Sequence, residues 1–104
     1  MDSRADSMLG LATKAGKTVS GEESVLKAVR SGKAHLVIIS DDASNATTKK
    51  FTDKCTYYHV PMIRHGTREK LGDATGRASR VCVAVIDKGF AEGITRCLSI
   101  RSDL

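Results

Sequence analysis

Two short runs constrain this chain more than anything else in it. "HLVIIS" at 35–40 and "VCVAVI" at 81–86 are almost continuously apolar and rich in branched residues. A strand with one wet face alternates apolar and polar side chains, whereas an unbroken apolar strand is covered on both faces. Covering both faces of a sheet takes helices on either side of it.

The segments between the runs carry the helical spacing this requires. In "SMLGLATKAG", Met8, Leu11, Ala12 and Ala15 recur at helical intervals, and Gly16 sits just past the end. Residues 21–31 put Val25, Ala28 and Val29 on one face, with Gly32 as the stop. A third helix over 44–58 starts from Ser44 as N-cap. A short one spans 67–72, from Thr67 as N-cap to Gly72 as stop. The last, from Lys88 to Leu98, has Phe90, Ile94 and Leu98 at i, i+4 and i+8. "KTVS" at 17–20 and residues 60–64, with Pro61 near the start, are short strands. The expected fold is α/β: a three-layer α/β/α sandwich around a mixed sheet of about four strands. At 104 residues with no repeat or linker, a single domain over 1–104 is expected.

The net charge is +5 and the pI about 9.3, a balance that favours polyanionic partners. The charge is unevenly spread. Lys14, Lys17, Lys27, Arg30 and Lys33 face only Glu22 and Glu23 in their block. Arg64, Arg68, Lys70, Arg77 and Arg80 face only Glu69 and Asp73 in theirs. The two blocks are expected to meet in the fold as one patch. The longest apolar run is far shorter than the roughly 20 residues a spanning helix needs. "MDSRADS" lacks the basic and apolar regions of a secretory signal. Cys55, Cys82 and Cys97 are odd in number and widely spaced, which fits free thiols in a reducing cytoplasm.

Signals for catalysis are thin. Asp41 and Asp42 follow the run at 35–40, where α/β proteins tend to bind ligands. Paired acids there suit a metal, or more ordinarily cap the next helix. Cys55 and His59 are four apart, but no further ligand has matching spacing; a core thiol and a solvated helix end is the simpler reading. "LGDATG" follows a short helix instead of a strand, the wrong context for a phosphate loop. No GxSxG, HExxH or P-loop pattern occurs. A non-enzyme without a metal or other cofactor is expected.

The helix that opens "SGEESVLKAVRSGK" is the densest cluster of polar signals. Ser20 and Glu23 fit a capping box, and Glu23 and Lys27 fit an i, i+4 ion pair with the acid first. Neither explains Gly21 at the helix start, where a side chain would stand between the N-terminus and an approaching ligand.

With this stretch the chain resembles the kink-turn RNA-binding family of ribosomal proteins (the L-seven-Ae and L-thirty-e grouping). It is most similar to the bacterial stand-alone members of the YlxQ type. "LGLATKAGKTVSGEESVLKAVRSGKAHLVIISDDAS" carries most of the likeness; "DKCTYYHVP", "LGDATGRASRVCVAV" and "DKGFAEGI" support it. The resemblance implies an α/β/α sandwich whose helix 21–31 enters the widened groove of a kinked RNA and contacts tandem G·A pairs. The family signature is G-x-N-E with a lysine three residues later. Gly21 and Lys27 match it; Glu23 stands at the asparagine position and Ser24 at the glutamate position.

The family's second element, the loop before the last central strand, matches Arg77, Ala78, Ser79 and Arg80. That loop is polar and basic here, which favours phosphate contact over stacking. The expected RNA-binding set is Ser20, Gly21, Glu23, Ser24, Lys27, Arg77, Ser79 and Arg80. Glu23 accepts hydrogen bonds from a guanine edge, while Lys27 and the loop neutralise phosphates. With 4% aromatic residues, recognition by RNA shape is expected over recognition by stacking. The implied partner is structured RNA, ribosomal or of another kink-turn kind, bound by a cytoplasmic monomer with no membrane association. The rival reading is a protein–protein adaptor that keeps the fold without specific RNA recognition.

Overall fold

The computed structural model describes residues 4–102. Its elements run α1 (Arg4–Lys14), β1 (Thr18–Ser20), α2 (Glu22–Arg30), β2 (Leu36–Ile39) and α3 (Asn45–Tyr58). They continue with β3 (Met62–Arg64), α4 (Arg68–Thr75), β4 (Cys82–Val85) and α5 (Lys88–Ser102). Every residue of β2 and β4 is buried, as their unbroken apolar character requires. The two pair antiparallel, with Leu36 opposite Val85 and Ile39 opposite Cys82.

The pleat divides these strands between two cores. Val37, Ile39, Cys82 and Ala84 pack with Val25, Ala28 and Val29 of α2 and with Phe51 and Cys55 of α3. Leu36, Ile38, Val83 and Val85 pack with Ala5 and Leu9 of α1, Leu71 of α4, and Ala91 and Ile94 of α5. Each fully buried Leu, Ile, Val or Phe contributes roughly 1.5–3 kcal/mol relative to exposure, so these two layers dominate stability. The architecture is the expected α/β/α sandwich.

The sheet order is β1-β4-β2-β3. β4 is antiparallel to both β1 and β2, and β2 is parallel to β3. So β1, β2 and β3 all end at one edge of the sandwich. There α2, α3 and α4 begin, and there the chain enters β4.

Several boundaries differ from expectation. α1 starts at Arg4, earlier than its apolar period announces, and α5 continues past Leu98 to Ser102. α4 does not stop at Gly72. It runs to Thr75 and closes at Gly76, which takes the left-handed conformation with φ 74°. Gly72 is needed for space: a Cβ there would lie 2.7 Å from Ser79 Cα and 2.8 Å from the Ala78 carbonyl. Gly16 past α1 (φ 73°) does take the expected left-handed role.

Cys55, Cys82 and Cys97 are free thiols. Burial pushes the Cys55 thiol up to about 11. Burial, with Glu22 nearby, pushes Cys82 up to about 12. No helix among the described residues is long and apolar enough to cross a membrane.

Candidate nucleic-acid interface

Ser20 is the last residue of β1, opposite Val83 of β4, and this pairing decides what its side chain does. Its hydroxyl accepts a hydrogen bond from Arg80 Nε at 3.0 Å and does not cap α2. The capping box with Glu23 is therefore not formed; the demands of the sheet ladder override the local motif. The N-cap is Gly21, at φ 94° and ψ 148°, a backbone region that side-chain-bearing residues pay strain to enter. Its N–H donates to the Cys82 carbonyl at 3.2 Å, and its carbonyl accepts from Val25 N–H at 3.0 Å. A Cβ on Gly21 would meet nothing within 4 Å, so the space over this turn is open.

Glu23, Ser24 and Lys27 are exposed. The expected Glu23–Lys27 ion pair is absent. Among the described residues, the side chains of all three make no hydrogen bond or ion pair. The acid of this turn that finds a partner is Glu22, whose carboxylate lies 3.0 Å from Lys50 Nζ of α3. With no side-chain cap, the first-turn N–H groups of α2 keep their donor capacity and partial positive charge.

The loop 77–80 is seated against α4. Arg77 N–H donates to the Gly72 carbonyl at 2.7 Å, and Arg80 N–H to the Arg68 carbonyl at 3.0 Å. The missing side chain at Gly72 is what allows this approach. Arg77, Ala78 and Ser79 are exposed, whereas Arg80 is half-buried. Arg80 also donates from Nη1 to the Ser79 carbonyl at 3.1 Å. It thus braces the loop against β1.

The expected residues fall into two groups. Ser20 and Arg80 are joined directly and tie the loop to the strand that leads into α2. Gly21, Glu23, Ser24 and Lys27 form the first turns of α2 beside that junction, and Arg77 and Ser79 are on the loop. The pairing of Ser20 with Arg80, sixty residues apart, left no signal in the sequence. Nor did the Glu22–Lys50 contact; the glycine of "LGDATG" was visible, but not its role.

The other candidates disperse. Asp42 accepts from Arg68 N–H at 3.3 Å and lies 3.5 Å from Arg68 Nε, so it caps α4 instead of the next helix, α3. The Ser40 hydroxyl, then the Arg68 N–H and guanidinium, hold the Asp42 carboxyl below its usual range. Cys55 is buried while His59 is exposed, ending α3 in the left-handed conformation. No cluster of three His, Cys, Asp or Glu side chains suited to a metal occurs among the described residues.

Comparison with known proteins gives a consistent result. Residues 3–94 match the model of the ribosomal protein L7Ae/L30e/S12e/Gadd45 family. The chain is 48% identical over 91 residues to the RNA-binding protein YlxQ of Bacillus subtilis, covering 88% of this chain and 91% of that protein. It is 38% identical over 97 residues to the large ribosomal subunit protein eL30 of Yarrowia lipolytica, covering 88% and 85% respectively. A solved structure from Bacillus halodurans, of a protein of unknown function, superposes with a TM-score of 0.88 at 42% identity. That match covers 91% of this chain and 96% of the other.

Proposed function

Because the chain belongs to the ribosomal protein L7Ae/L30e/S12e/Gadd45 family and stands with its bacterial YlxQ-type members, we propose that it binds structured RNA of the kink-turn kind without catalysing a reaction. In this reading it is a cytoplasmic monomer acting at the ribosome or elsewhere in translation. The start of α2 enters the RNA groove. Gly21 presents bare backbone there, and the first-turn N–H groups face a phosphate. Glu23, an acceptor only when ionised, takes hydrogen bonds from a guanine edge, and Ser24 adds a hydroxyl beside it. Lys27 neutralises a phosphate, as do Arg77 and the Ser79 hydroxyl on the loop. Ser20 and Arg80 hold loop and helix in register.

The observation that carries this reading is the unfinished first turn of α2. Its Glu23 and Lys27 have no side-chain partner among the described residues, its N-terminus lacks a side-chain cap, and its N-cap glycine opens onto free space. Each of α3, α4 and α5, by contrast, starts with a side-chain oxygen accepting from a first-turn N–H.

The test is a binding assay that compares a kinked RNA with the same RNA lacking its G·A pairs, across a salt series. Preference for the kinked RNA is expected. The log affinity should fall with log salt at a slope of roughly −2 to −5, for three to five phosphate contacts. No preference together with a slope near zero contradicts the reading and leaves the face to a protein partner.

A further inference from the structure

The chain has four aromatic rings, two Phe and two Tyr. Phe51 is fully buried and Phe90 packs against a core. Both tyrosines lie outside, side by side at the end of α3. Tyr57 is 75% exposed and Tyr58 37%, with ring centroids 4.8 Å apart in an edge-to-face arrangement. They line an open groove of about 530 Å³ together with Lys50, Asp53 and Lys54. Lys50, Lys54, Tyr57 and Tyr58 stand at i, i+4, i+7 and i+8, one face of the helix. Asp53 is neutralised by Lys49 at 3.0 Å. Lys54 makes no ion pair among the described residues, so the groove offers cationic and aromatic groups together.

This face is continuous with the start of α2. Lys50 holds Glu22, the first residue of α2, and Tyr57 lies two turns further along α3, about 10 Å at 1.5 Å per residue. We infer that the groove takes an unpaired strand leaving the structured RNA, one base stacking on Tyr57 while Lys54 meets a phosphate. The inference rests on the RNA-binding reading above and extends its footprint.

The chemistry favours a nucleotide over a protein surface. Aromatic rings flanked by cations are the working parts of single-strand readers, because every base has a face to stack and every linkage a charge. Lysine is depleted in the cores of protein–protein interfaces, and here lysines make up half of this helix face. Tyr57 contributes almost nothing to the protein core at its exposure, so its removal should be structurally silent.

The experiment titrates the protein against a kinked RNA, the same RNA carrying a short unpaired tail at either end in turn, and the tail strand alone. A tail at one end should tighten binding. Tyr57→Ala should remove that gain, about five- to tenfold, whereas Tyr57→Phe keeps it. Lys54→Ala should lower the salt slope for tailed RNA by about one. Neither Tyr57→Ala nor Lys54→Ala should change binding to untailed RNA, and the melting temperature should stay that of the parent.

A tail that contributes nothing, or a gain that survives Tyr57→Ala, overturns the inference while leaving the kink-turn reading intact. It would assign the tyrosines to a protein partner. Binding to the tail strand that depends on Tyr57, with no affinity for untailed kinked RNA, supports the groove and sinks the kink-turn reading. Failure to bind any of these RNAs sinks both.

Discussion

α2 and α4 leave the same end of the sheet, one after β1 and one after β3, yet their first turns are finished in opposite ways. At α4, Thr67 accepts from Lys70 N–H at 3.2 Å, and Asp42 accepts from Arg68 N–H. Asp42 adds an ion pair to the Arg68 guanidinium, worth little at half exposure. At α2 there is no side-chain cap, and Ser20, the cap expected from the sequence, precedes the N-cap Gly21 and is turned toward Arg80. A side-chain N-cap is worth about 1 kcal/mol over alanine but only a few tenths over glycine, so with Gly21 as its N-cap α2 forgoes little. What it keeps is a set of donors and an open approach over Gly21. One terminus uses its first-turn hydrogen-bonding groups within the fold, and the other leaves its own without a side-chain cap.

The sharpest way to test the support beneath that difference is Gly72→Val. The new side chain would collide with the Ala78 and Ser79 backbone, which cannot rotate away. Overpacking of this kind should cost about 3 kcal/mol and unseat the loop from α4. Denaturant unfolding should show the loss, and RNA affinity should fall with it through the displaced loop. A fully stable variant would mean that the loop does not rest on α4.

A smaller effect separates the two first turns directly. Thr67→Ala should destabilise the protein by about 1 kcal/mol and leave RNA affinity unchanged. Glu23→Ala should do the reverse: stability within about 0.5 kcal/mol of the parent, with discrimination between kinked and control RNA reduced. A stability loss at Glu23 as large as that at Thr67 would restore the capping box and erase the contrast.

These contrasts also show what could be read from sequence. The central strands were legible because a continuously apolar run has one stable place in a small α/β protein. The helix faces followed from Val25, Ala28 and Val29, and Ser44 and Thr67 cap as expected. Gly72 misled because a single letter does not distinguish a glycine kept for positive φ from one kept for its missing side chain. Ser20 and Glu23 misled because a local motif ignores the strand opposite; β4 claims the backbone at Ser20 and Arg80 its hydroxyl. Within the candidate site, Gly21 and Lys27 were legible through their match to the family signature, whereas the brace that ties the loop to β1 joins residues sixty apart.

The smallest effect expected is at low pH. The Asp42 carboxyl titrates below the ordinary aspartate value in the folded protein, so the unfolded chain binds the extra proton. Its contribution to stability is complete above about pH 4 and is lost as pH falls through the folded value. Asp42→Asn should therefore lower the melting temperature slightly at neutral pH and converge on the parent in acid. A difference that grows in acid would contradict this role. Binding of kinked RNA at neutral pH should not follow Asp42.

The claim that α2 begins in a turn reserved for RNA rests most directly on Lys27, which is exposed and has no partner among the described residues. The decisive measurement is the affinity of Lys27→Ala for kinked RNA across a salt series, alongside its unfolding curve. The account predicts a loss of about 1–2 kcal/mol in binding, a salt slope lower by about one, and unchanged unfolding. Unchanged affinity and slope in a folded variant would contradict it.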